Sequence, residues 1–311
     1  MNKVSVCIPC YKQTEYLAKC LDSVIAQDFT EVEIIVTDDT PDNTVKDFIA
    51  AKYSNTRLKY FKNPISLGTP ENWNEAVRKA SGEYIKILHH DDHFTHSNSL
   101  SKFVALLDNN KNANLGFSAT EVWNVPSGRR YIHACSDGQL QRIRKDPSFL
   151  FFRNMIGAPS AVIYRRNSAL EFDKQLKWLV DIDFYIRMLK ANSHIAMNRE
   201  ALVCTADNTS GQVTQAVLKD QALIVREHVL LLHKIGISDK EKMILFFDEL
   251  FIRTGIRTMA ELTNICAVPP DLLNFFNDVF GQTGKKSAYK KWRNWFYGSR
   301  LNNQIFKMEK Y

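Results

Sequence analysis

The first hundred residues of the chain alternate between two hydrophobic periods. Short apolar runs typical of β-strands stand at residues 4–8, 32–36, 58–61 and 84–88. Between them lie segments whose apolar residues recur every three or four positions, the period of a helix with one buried face. The clearest segment begins near Thr14 and places Leu17 and Leu21 on one face. This alternation predicts right-handed crossovers and an α/β fold with a mostly parallel sheet covered on both faces.

Residues that start and stop helices support this division. Asp42 or Asn43 can cap a second helix. Pro70 stands in the first turn of a third helix, and Gly82 ends that helix before the fourth strand.

The pattern changes in the second half of the chain. Strands are predicted at 115–123, 131–133 and 160–164, a helix opens at 181, and the apolar spacing is helical after about 215. We therefore predict an α/β domain over residues 1–212 and a helical region over residues 213–311.

Length and composition are those of a globular protein. The chain has 311 residues, of which 45% are hydrophobic and 24% charged. It contains no run of the ~20 apolar residues that cross a bilayer. The apolar run after Met1 is too short for a signal peptide. These features predict a cytoplasmic protein.

The net charge of +7 is concentrated at the end of the chain. Residues 285–311 contain eight Lys and Arg against Glu309, interleaved with aromatics such as Trp292 and Trp295, whereas residues 1–284 are neutral overall. Basic aromatic segments favour the headgroup zone of an anionic membrane. The alternative is that the aromatics pack on the preceding helices and the charges are solvated. The neutral body disfavours nucleic acid as a partner.

The six cysteines predict reduced, buried or half-buried thiols and not a disulfide framework. Cys7 and Cys10 have the spacing of a redox pair, which would suit a thiol oxidoreductase. They flank the end of the first strand, however, and do not open a helix, so this alternative is disfavoured.

Polar clusters follow three of the predicted strands: Cys10-Tyr11, Asp38-Asp39 and Asp91-Asp92. Each pair alone is more typical of a turn or a helix cap than of a binding site. In open parallel sheets, however, ligands bind at the carboxyl ends of strands. Neighbouring carboxylates need a cation between them, and Mg²⁺ or Mn²⁺ with a diphosphate would meet that need. The chain has neither a Gly-x-Gly sequence nor a P-loop, so glycine-rich phosphate binding is not expected.

Taken together and in order, six segments resemble the family 2 glycosyltransferases. They are VSVCIPCY at 4–11, AQD at 26–28, EIIVTDD at 33–39, NWNEA at 72–76, ASGEYI at 80–85 and LHHDD at 88–92. The resemblance covers residues 3 to about 110 and continues more loosely to about 200. It implies a GT-A fold, here with a helical C-terminal extension, a nucleotide-sugar donor, most simply a UDP-sugar, and a divalent metal, Mn²⁺ or Mg²⁺.

The resemblance also assigns roles to the donor-binding residues. Pro9 and Tyr11 would line the base pocket, with Tyr11 stacked on the base. Asp39 would accept a hydrogen bond from the base. Asp91 would lie on the ribose side and Asp92 on the metal.

Two departures from the family pattern bear on these roles. His90 stands at the first position of the family's DxD triplet, so that metal coordination would rest on Asp92, or else His90 would itself be a ligand. The segment 204–211 lacks the histidine that many relatives carry there. Asp207 or Asn208 would replace its contacts, or else the segment would be a flexible lid.

The catalytic base implied by the family falls in VDIDFYIR at 180–187. Asp181 matches the family's base position, and Asp183 is the second candidate. Asp183 and Arg187 are spaced for an i,i+4 ion pair, which is the structural explanation of both. One carboxylate base and in-line displacement imply inversion at the anomeric carbon.

The function implied is an inverting hexosyltransferase in bacterial surface-polysaccharide biosynthesis, for O-antigen or capsule. Its acceptor would be a hydroxyl of a glycan or of a lipid-linked oligosaccharide at the inner face of the membrane. The alternative is an inactive nucleotide-sugar-binding scaffold that recruits a partner to the membrane. The helical region after 215 could also form a homodimer interface.

Overall fold

The computed structural model describes residues 2–54, 57–207, 209, 217 and 220–282. The chain divides into two compact units. The first comprises Met1–Leu150 and Asn154–Val213, and the second comprises Phe151–Arg153 and Thr214–Tyr311. The basic tail at 285–311, and with it the predicted membrane contact, lies outside the described residues.

The first unit is built on one sheet of nine strands among the described residues. They are β1 Val4–Cys10, β2 Val32–Asp38, β3 Leu58–Lys62, β4 Tyr84–Ile87, β5 His93–Phe94, β6 Leu115–Asn124, β7 Arg130–His133, β8 Val162–Arg165 and β9 Ile195–Asp207. Their order is β3-β2-β1-β4-β8-β6-β9-β5, with β7 paired to β6. Strands β1 to β4 are parallel, β8 runs antiparallel between β4 and β6, and β6 pairs in parallel with β9. The prediction of a mixed, mostly parallel sheet is confirmed.

Six α-helices accompany this sheet in the described part of the unit. They are α1 Thr14–Ile25, α2 Thr44–Lys52, α3 Glu71–Arg78, α4 Ser99–Asp108, α5 Asp137–Lys145 and α6 Val180–Ala191. A short 3₁₀ turn, Pro159–Ala161, precedes β8. Helix α1 shows why the periodicity was informative, because Leu17, Leu21 and Val24 recur at helical spacing and are all completely buried.

Gly82 is required where the chain enters β4. A Cβ atom on this residue would lie 2.7 Å from the backbone nitrogen of Ser5 in β1. Real Cβ atoms do not approach a backbone that closely, so only glycine lets β4 start directly beside β1.

The described part of the second unit is helical, as predicted. Its helices are α7 Gln221–Ile235, α8 Lys240–Thr254, α9 Met259–Ile265 and α10 Leu273–Gln282. Its core is aromatic: the Phe247 ring lies 5.1 Å from Phe276 and 5.6 Å from Phe251, centroid to centroid. Among the described helices, none is long and apolar enough to cross a membrane.

Candidate active site

The three polar strand ends lie at the same edge of the sheet. Cys10 at the end of β1 is in register with Asp38 at the end of β2. The backbone N–H of Asp39 donates to the carbonyl of Cys10 at 3.0 Å, and that of Leu88 donates to the carbonyl of Cys7 at 2.9 Å. The predicted clusters therefore converge beyond the carboxyl ends of three adjacent parallel strands, the common ligand-binding place of such sheets.

Tyr11 is presented to solvent by a strained turn. Pro9 is buried in β1, whereas the Tyr11 side chain is 44% exposed. The two residues that follow, Lys12 and Gln13, have φ angles of 57° and 50°. Non-glycine residues in this region cost on the order of 1–3 kcal/mol each and are concentrated at functional sites. The turn is fixed by a 2.7 Å hydrogen bond from the Lys12 N–H to the hydroxyl of Thr40.

Asp39 is held by the loop after β3. Its carboxylate accepts hydrogen bonds from the Asn63 side chain at 2.7 Å, from the Leu67 N–H at 3.0 Å and from the Gly68 N–H at 2.7 Å. A carboxylate has about four acceptor positions, so this arrangement leaves room for one more donor. Its neighbour Asp38 is completely buried and bonds to the Tyr60 hydroxyl at 2.6 Å.

Helix α3 connects the strand ends through the residues of the NWNEA segment. The Asn72 side chain donates to the carbonyls of Cys10 and Thr37, both at 3.3 Å. Asn74 makes two hydrogen bonds to the backbone of Phe172, at 2.8 and 2.9 Å. These residues hold the edge of the sheet in shape and explain why the segment is polar although it is largely buried.

A potential metal-binding group forms after β4. His89, Asp91 and Asp92 each offer one ligand atom, and these atoms lie within 4.8 Å of one another. Asp92 is 4% exposed and accepts a 3.0 Å hydrogen bond from the Ala206 N–H in β9. Asp91 is half-buried and accepts one from the Thr209 hydroxyl at 3.3 Å.

The histidine of this group was missed by the sequence reasoning, which considered His90. The ring of His90 is instead paired with the side chain of Gln13, at 3.0 Å from Nε2 to Oε1. The ring of His89 packs on Trp73 with 4.6 Å between centroids. Its Nε2 is buried and has no hydrogen-bond partner among the described residues.

Electrostatics around this group favours a bound cation. Burial raises the pKa of Asp92 well above its ordinary value, and the neighbouring Asp91 raises it further. Burial also lowers the pKa of Lys86 to about 7 and that of His89 to about 4, so these bases gain protons less readily. Two carboxylates beside a neutral imidazole form a donor set that fits a divalent metal ion.

Ser160 contacts the metal-binding group directly, and Lys86 contacts Ser160. The Lys86 ammonium is completely buried, donates to the carbonyl of Ser160 and lies 4.5 Å from the centre of the Phe103 ring. The Ser160 hydroxyl accepts from the His89 N–H at 3.0 Å and donates to the Asp92 carboxylate. Nothing in the sequence singled out either residue, because their positions depend on β8 entering the sheet beside β4.

Asp181 and Asp183 differ in their surroundings. Asp183 is completely buried and forms the predicted ion pair with Arg187, at 2.7 Å. Asp181 is half-buried at the start of α6, where it accepts a 2.8 Å hydrogen bond from the Asn154 side chain. Asn154 and Ser160 belong to one loop, which therefore connects Asp181 to the metal-binding group.

The redox alternative finds no support at this edge. Cys7 and Cys10 are buried, as predicted. Burial raises the pKa of both thiols, aided by Glu33 for Cys7 and by Asp38 for Cys10. Such thiols resist forming the reactive thiolate.

The chain is similar to known proteins in both sequence and fold. A GalNAc(5)-diNAcBac-PP-undecaprenol β-1,3-glucosyltransferase of Campylobacter jejuni is 35% identical over 94 residues, which are 30% of this chain and 30% of the relative. The crystal structure of Staphylococcus aureus TarS 1-349 in complex with UDP-GlcNAc has a TM-score of 0.61 at 20% identity. The match covers 90% of this chain and 80% of the TarS chain. The mannosyltransferase PcManGT of Pyrobaculum calidifontis in complex with GDP-Man and Mn²⁺ has a TM-score of 0.56 at 12% identity. The match covers 93% of this chain and 82% of the mannosyltransferase chain.

At these identities the two solved structures establish the fold, which is that of GT-A glycosyltransferases. The family is established by the sequence itself. The model of glycosyl transferase family 2 matches residues 5–172, more than half of the chain. The chain belongs to glycosyl transferase family 2.

Proposed function

We propose that this family 2 glycosyltransferase transfers a hexose from a UDP-sugar to a glycan or lipid-linked hydroxyl, with inversion at the anomeric carbon. The observation that carries the proposal is the shared loop 154–160. In this loop Asn154 is hydrogen-bonded to Asp181 and Ser160 to Asp92. One short segment therefore contacts both the candidate base and the candidate diphosphate site.

The donor site would use the exposed turn after β1 and the acceptor capacity of Asp39. The Tyr11 ring is exposed enough to stack on a base. The loop donors to Asp39 hold its carboxylate rigidly, with room for a base N–H. UDP is favoured because one similar structure holds UDP-GlcNAc.

Asp91 and Asp92 would hold a divalent metal, Mn²⁺ or Mg²⁺, with Asp91 also on the ribose side. A bound metal supplies Lewis-acid stabilisation of the departing diphosphate. Since Asp92 is nearly inaccessible and tied to Ser160 and Ala206, we assign it the role of fixing the turn as well as offering an oxygen. The Mn²⁺ in the mannosyltransferase of similar fold supports a metal.

Asp181 would be the catalytic base, and Asp183 is the weaker candidate. Asp181 is partly accessible and oriented by Asn154, whereas Asp183 is buried in its pair with Arg187. Asp181 would take the proton from the acceptor hydroxyl as that oxygen attacks the anomeric carbon opposite the diphosphate. One base and one displacement give inversion.

For the acceptor, we propose a lipid-linked oligosaccharide of a surface polysaccharide, such as O-antigen or capsule, at the inner face of the cytoplasmic membrane. The Campylobacter relative supports this class, since it is a GalNAc(5)-diNAcBac-PP-undecaprenol β-1,3-glucosyltransferase. The basic residues 285–311 would suit contact with anionic lipid.

The test is calorimetric titration with UDP, GDP and dTDP, each with and without Mn²⁺, on the wild type and Asp181→Asn. We expect metal-dependent binding of UDP by both proteins. With the matching UDP-sugar and acceptor, Asp181→Asn should lose about 10²–10⁴-fold in rate. NMR of the product anomer would reveal inversion.

Full turnover by Asp181→Asn would reject Asp181 as base, and Asp183→Asn would then be tested. Binding of UDP without any turnover would favour the inactive scaffold. Absence of nucleotide binding would reject the proposal.

A further inference from the structure

The geometry points to His89 as a nitrogen ligand of the metal, which gives the site a preference for Mn²⁺ over Mg²⁺. This inference rests on the proposed function, because it concerns the metal of the same donor site. It assigns a ligand that the sequence did not predict, since the histidine considered there was the neighbouring His90.

The first argument is the position of the imidazole. Its Nδ1 lies 3.9 Å from Oδ2 of Asp92, and one of its ligand atoms lies within 4.8 Å of both carboxylates. Two ligands of one ion that each lie about 2.1 Å from it are separated by about 3–4 Å, so the spacing requires only small side-chain adjustments.

The second argument is the orphaned nitrogen. Nε2 of His89 is buried without a hydrogen-bond partner among the described residues. A buried polar atom without a partner destabilises the fold, and native proteins keep such atoms mostly where a function or an ion explains them. A metal bound by Nε2 would supply the partner that this nitrogen lacks.

The third argument is rigidity. The ring is packed on Trp73 at 4.6 Å, and the His89 N–H is bonded to the Ser160 hydroxyl at 3.0 Å. The neighbouring His90 has no comparable position, since its ring is engaged by Gln13. Only the first of the two histidines is therefore held beside the carboxylates.

The consequence is metal selectivity. Mg²⁺ prefers an octahedral set of oxygen ligands, whereas imidazole suits later transition metals and Mn²⁺ tolerates both. Replacing one carboxylate of an acidic group by a neutral imidazole also removes a negative charge, which weakens binding of the hard Mg²⁺ ion most. We expect Mn²⁺ to bind at least ten-fold more tightly than Mg²⁺ in the presence of UDP.

The test is pulsed electron paramagnetic resonance of the Mn²⁺–UDP complex. The wild type should show a ¹⁴N coupling from a directly bound imidazole. In His89→Phe, which keeps a ring against Trp73 and removes both nitrogens, this coupling should disappear. His90→Phe is the matched control, and it should retain the coupling. In His89→Asp, calorimetry should show the Mn²⁺ preference reduced about ten-fold in favour of Mg²⁺.

The outcomes separate the two proposals. If Mn²⁺ and UDP bind but no ¹⁴N coupling is present, or if it persists in His89→Phe, the ligand assignment is wrong while the donor site stands. If the coupling is lost only in His90→Phe, the other histidine is the ligand. If neither Mn²⁺ nor Mg²⁺ binds with UDP, the proposed function fails, and this inference fails with it. Near-ultraviolet circular dichroism would verify that His89→Phe is folded.

Discussion

Two buried carboxylates at opposite ends of the parallel part of the sheet differ in how the protein stabilises their charge. Glu33, near the start of β2, is 1% exposed and Asp92, beyond the end of β4, is 4% exposed. Burial alone would raise the pKa of Glu33, but hydrogen bonds from Lys59, Ser5 and Ser81 outweigh it and lower the pKa to about 2. For Asp92 the balance is reversed, and its pKa lies well above the ordinary value.

The difference lies in the donors that the protein supplies. Glu33 accepts from the Lys59 ammonium at 2.7 Å, from the Ser5 hydroxyl at 2.5 Å and from both the N–H and the hydroxyl of Ser81. Asp92 receives one N–H and one hydroxyl, and Asp91 stands beside it. A carboxylate satisfied by its own protein stabilises the fold, whereas one left short of positive charge is suited to a ligand.

The largest difference should appear on neutralising Asp92. Asp92→Asn should lower turnover at least about 10²-fold if its oxygen helps to hold the metal. The metal-free variant should nevertheless be at least as stable as the wild type at pH 7. A raised folded pKa means that wild-type stability falls as pH rises through it, and asparagine removes that penalty. Thermal unfolding without metal, with the exposed Asp47→Asn as control, would contradict this view if Asp92→Asn alone were destabilised.

The converse is expected of Glu33. Glu33→Gln should lower the free energy of unfolding by about 2–3 kcal/mol at pH 7, because a charge-assisted hydrogen bond and its partners are lost. UDP binding by the folded protein should be unaffected. The contribution of Glu33 is complete above its unfolded pKa, near 4.5, and is lost as pH falls toward 2. In urea unfolding, the difference in free energy of unfolding between wild type and Glu33→Gln should therefore shrink as pH falls from 7 to 3. The exposed Glu31→Gln should not differ from the wild type at any of these pH values.

A smaller effect on stability is expected from Lys86, a buried basic residue in β4. Burial lowers its pKa from 10.5 to about 7. Between these values the unfolded chain binds the extra proton, so wild-type stability should rise with pH from about 7 to 10. Lys86→Met should lack this rise and be more stable at pH 7 by about 1–2 kcal/mol, the relieved desolvation being offset by lost carbonyl bonds. Denaturant titrations at pH 7 and 10 would measure these free energies of unfolding, with the exposed Lys46→Met as control. The prediction is wrong if the stability of Lys86→Met rises with pH as much as that of the wild type.

The sequence predicted the strand ends because they depend on local signals. Asp39 and Asp91 follow short apolar strands directly, and parallel strands must present their carboxyl ends on one edge. The Asp183–Arg187 ion pair was predictable for the same reason, since helical spacing alone brings the two side chains together.

What the sequence did not predict depends on distant partners. Strand β9 was missed because its middle, around Arg199 and Glu200, is polar and exposed where the pairing with β6 shifts register. Helices α4 and α5 were also missed. The positions of Asn154 and Ser160 follow only from the loop folding back before β8. The sequence alone does not distinguish the adjacent His89 and His90. Only the conformation of the turn after β4 determines which of them lies beside the carboxylates.

The place of β8 in the sheet also bears on how the protein is made. Strand β4 pairs with β1 on one side and with β8 on the other. On the ribosome, β4 emerges long before β8, and synthesis of the chain between them takes about 4–15 s at ~5–20 residues per second. During that interval the backbone N–H and C=O groups of β4 that later pair with β8 are open to pairing with other nascent chains. Yield during rapid expression should therefore depend on how quickly residues 88–165 follow, and slower synthesis of that stretch would prolong the exposure.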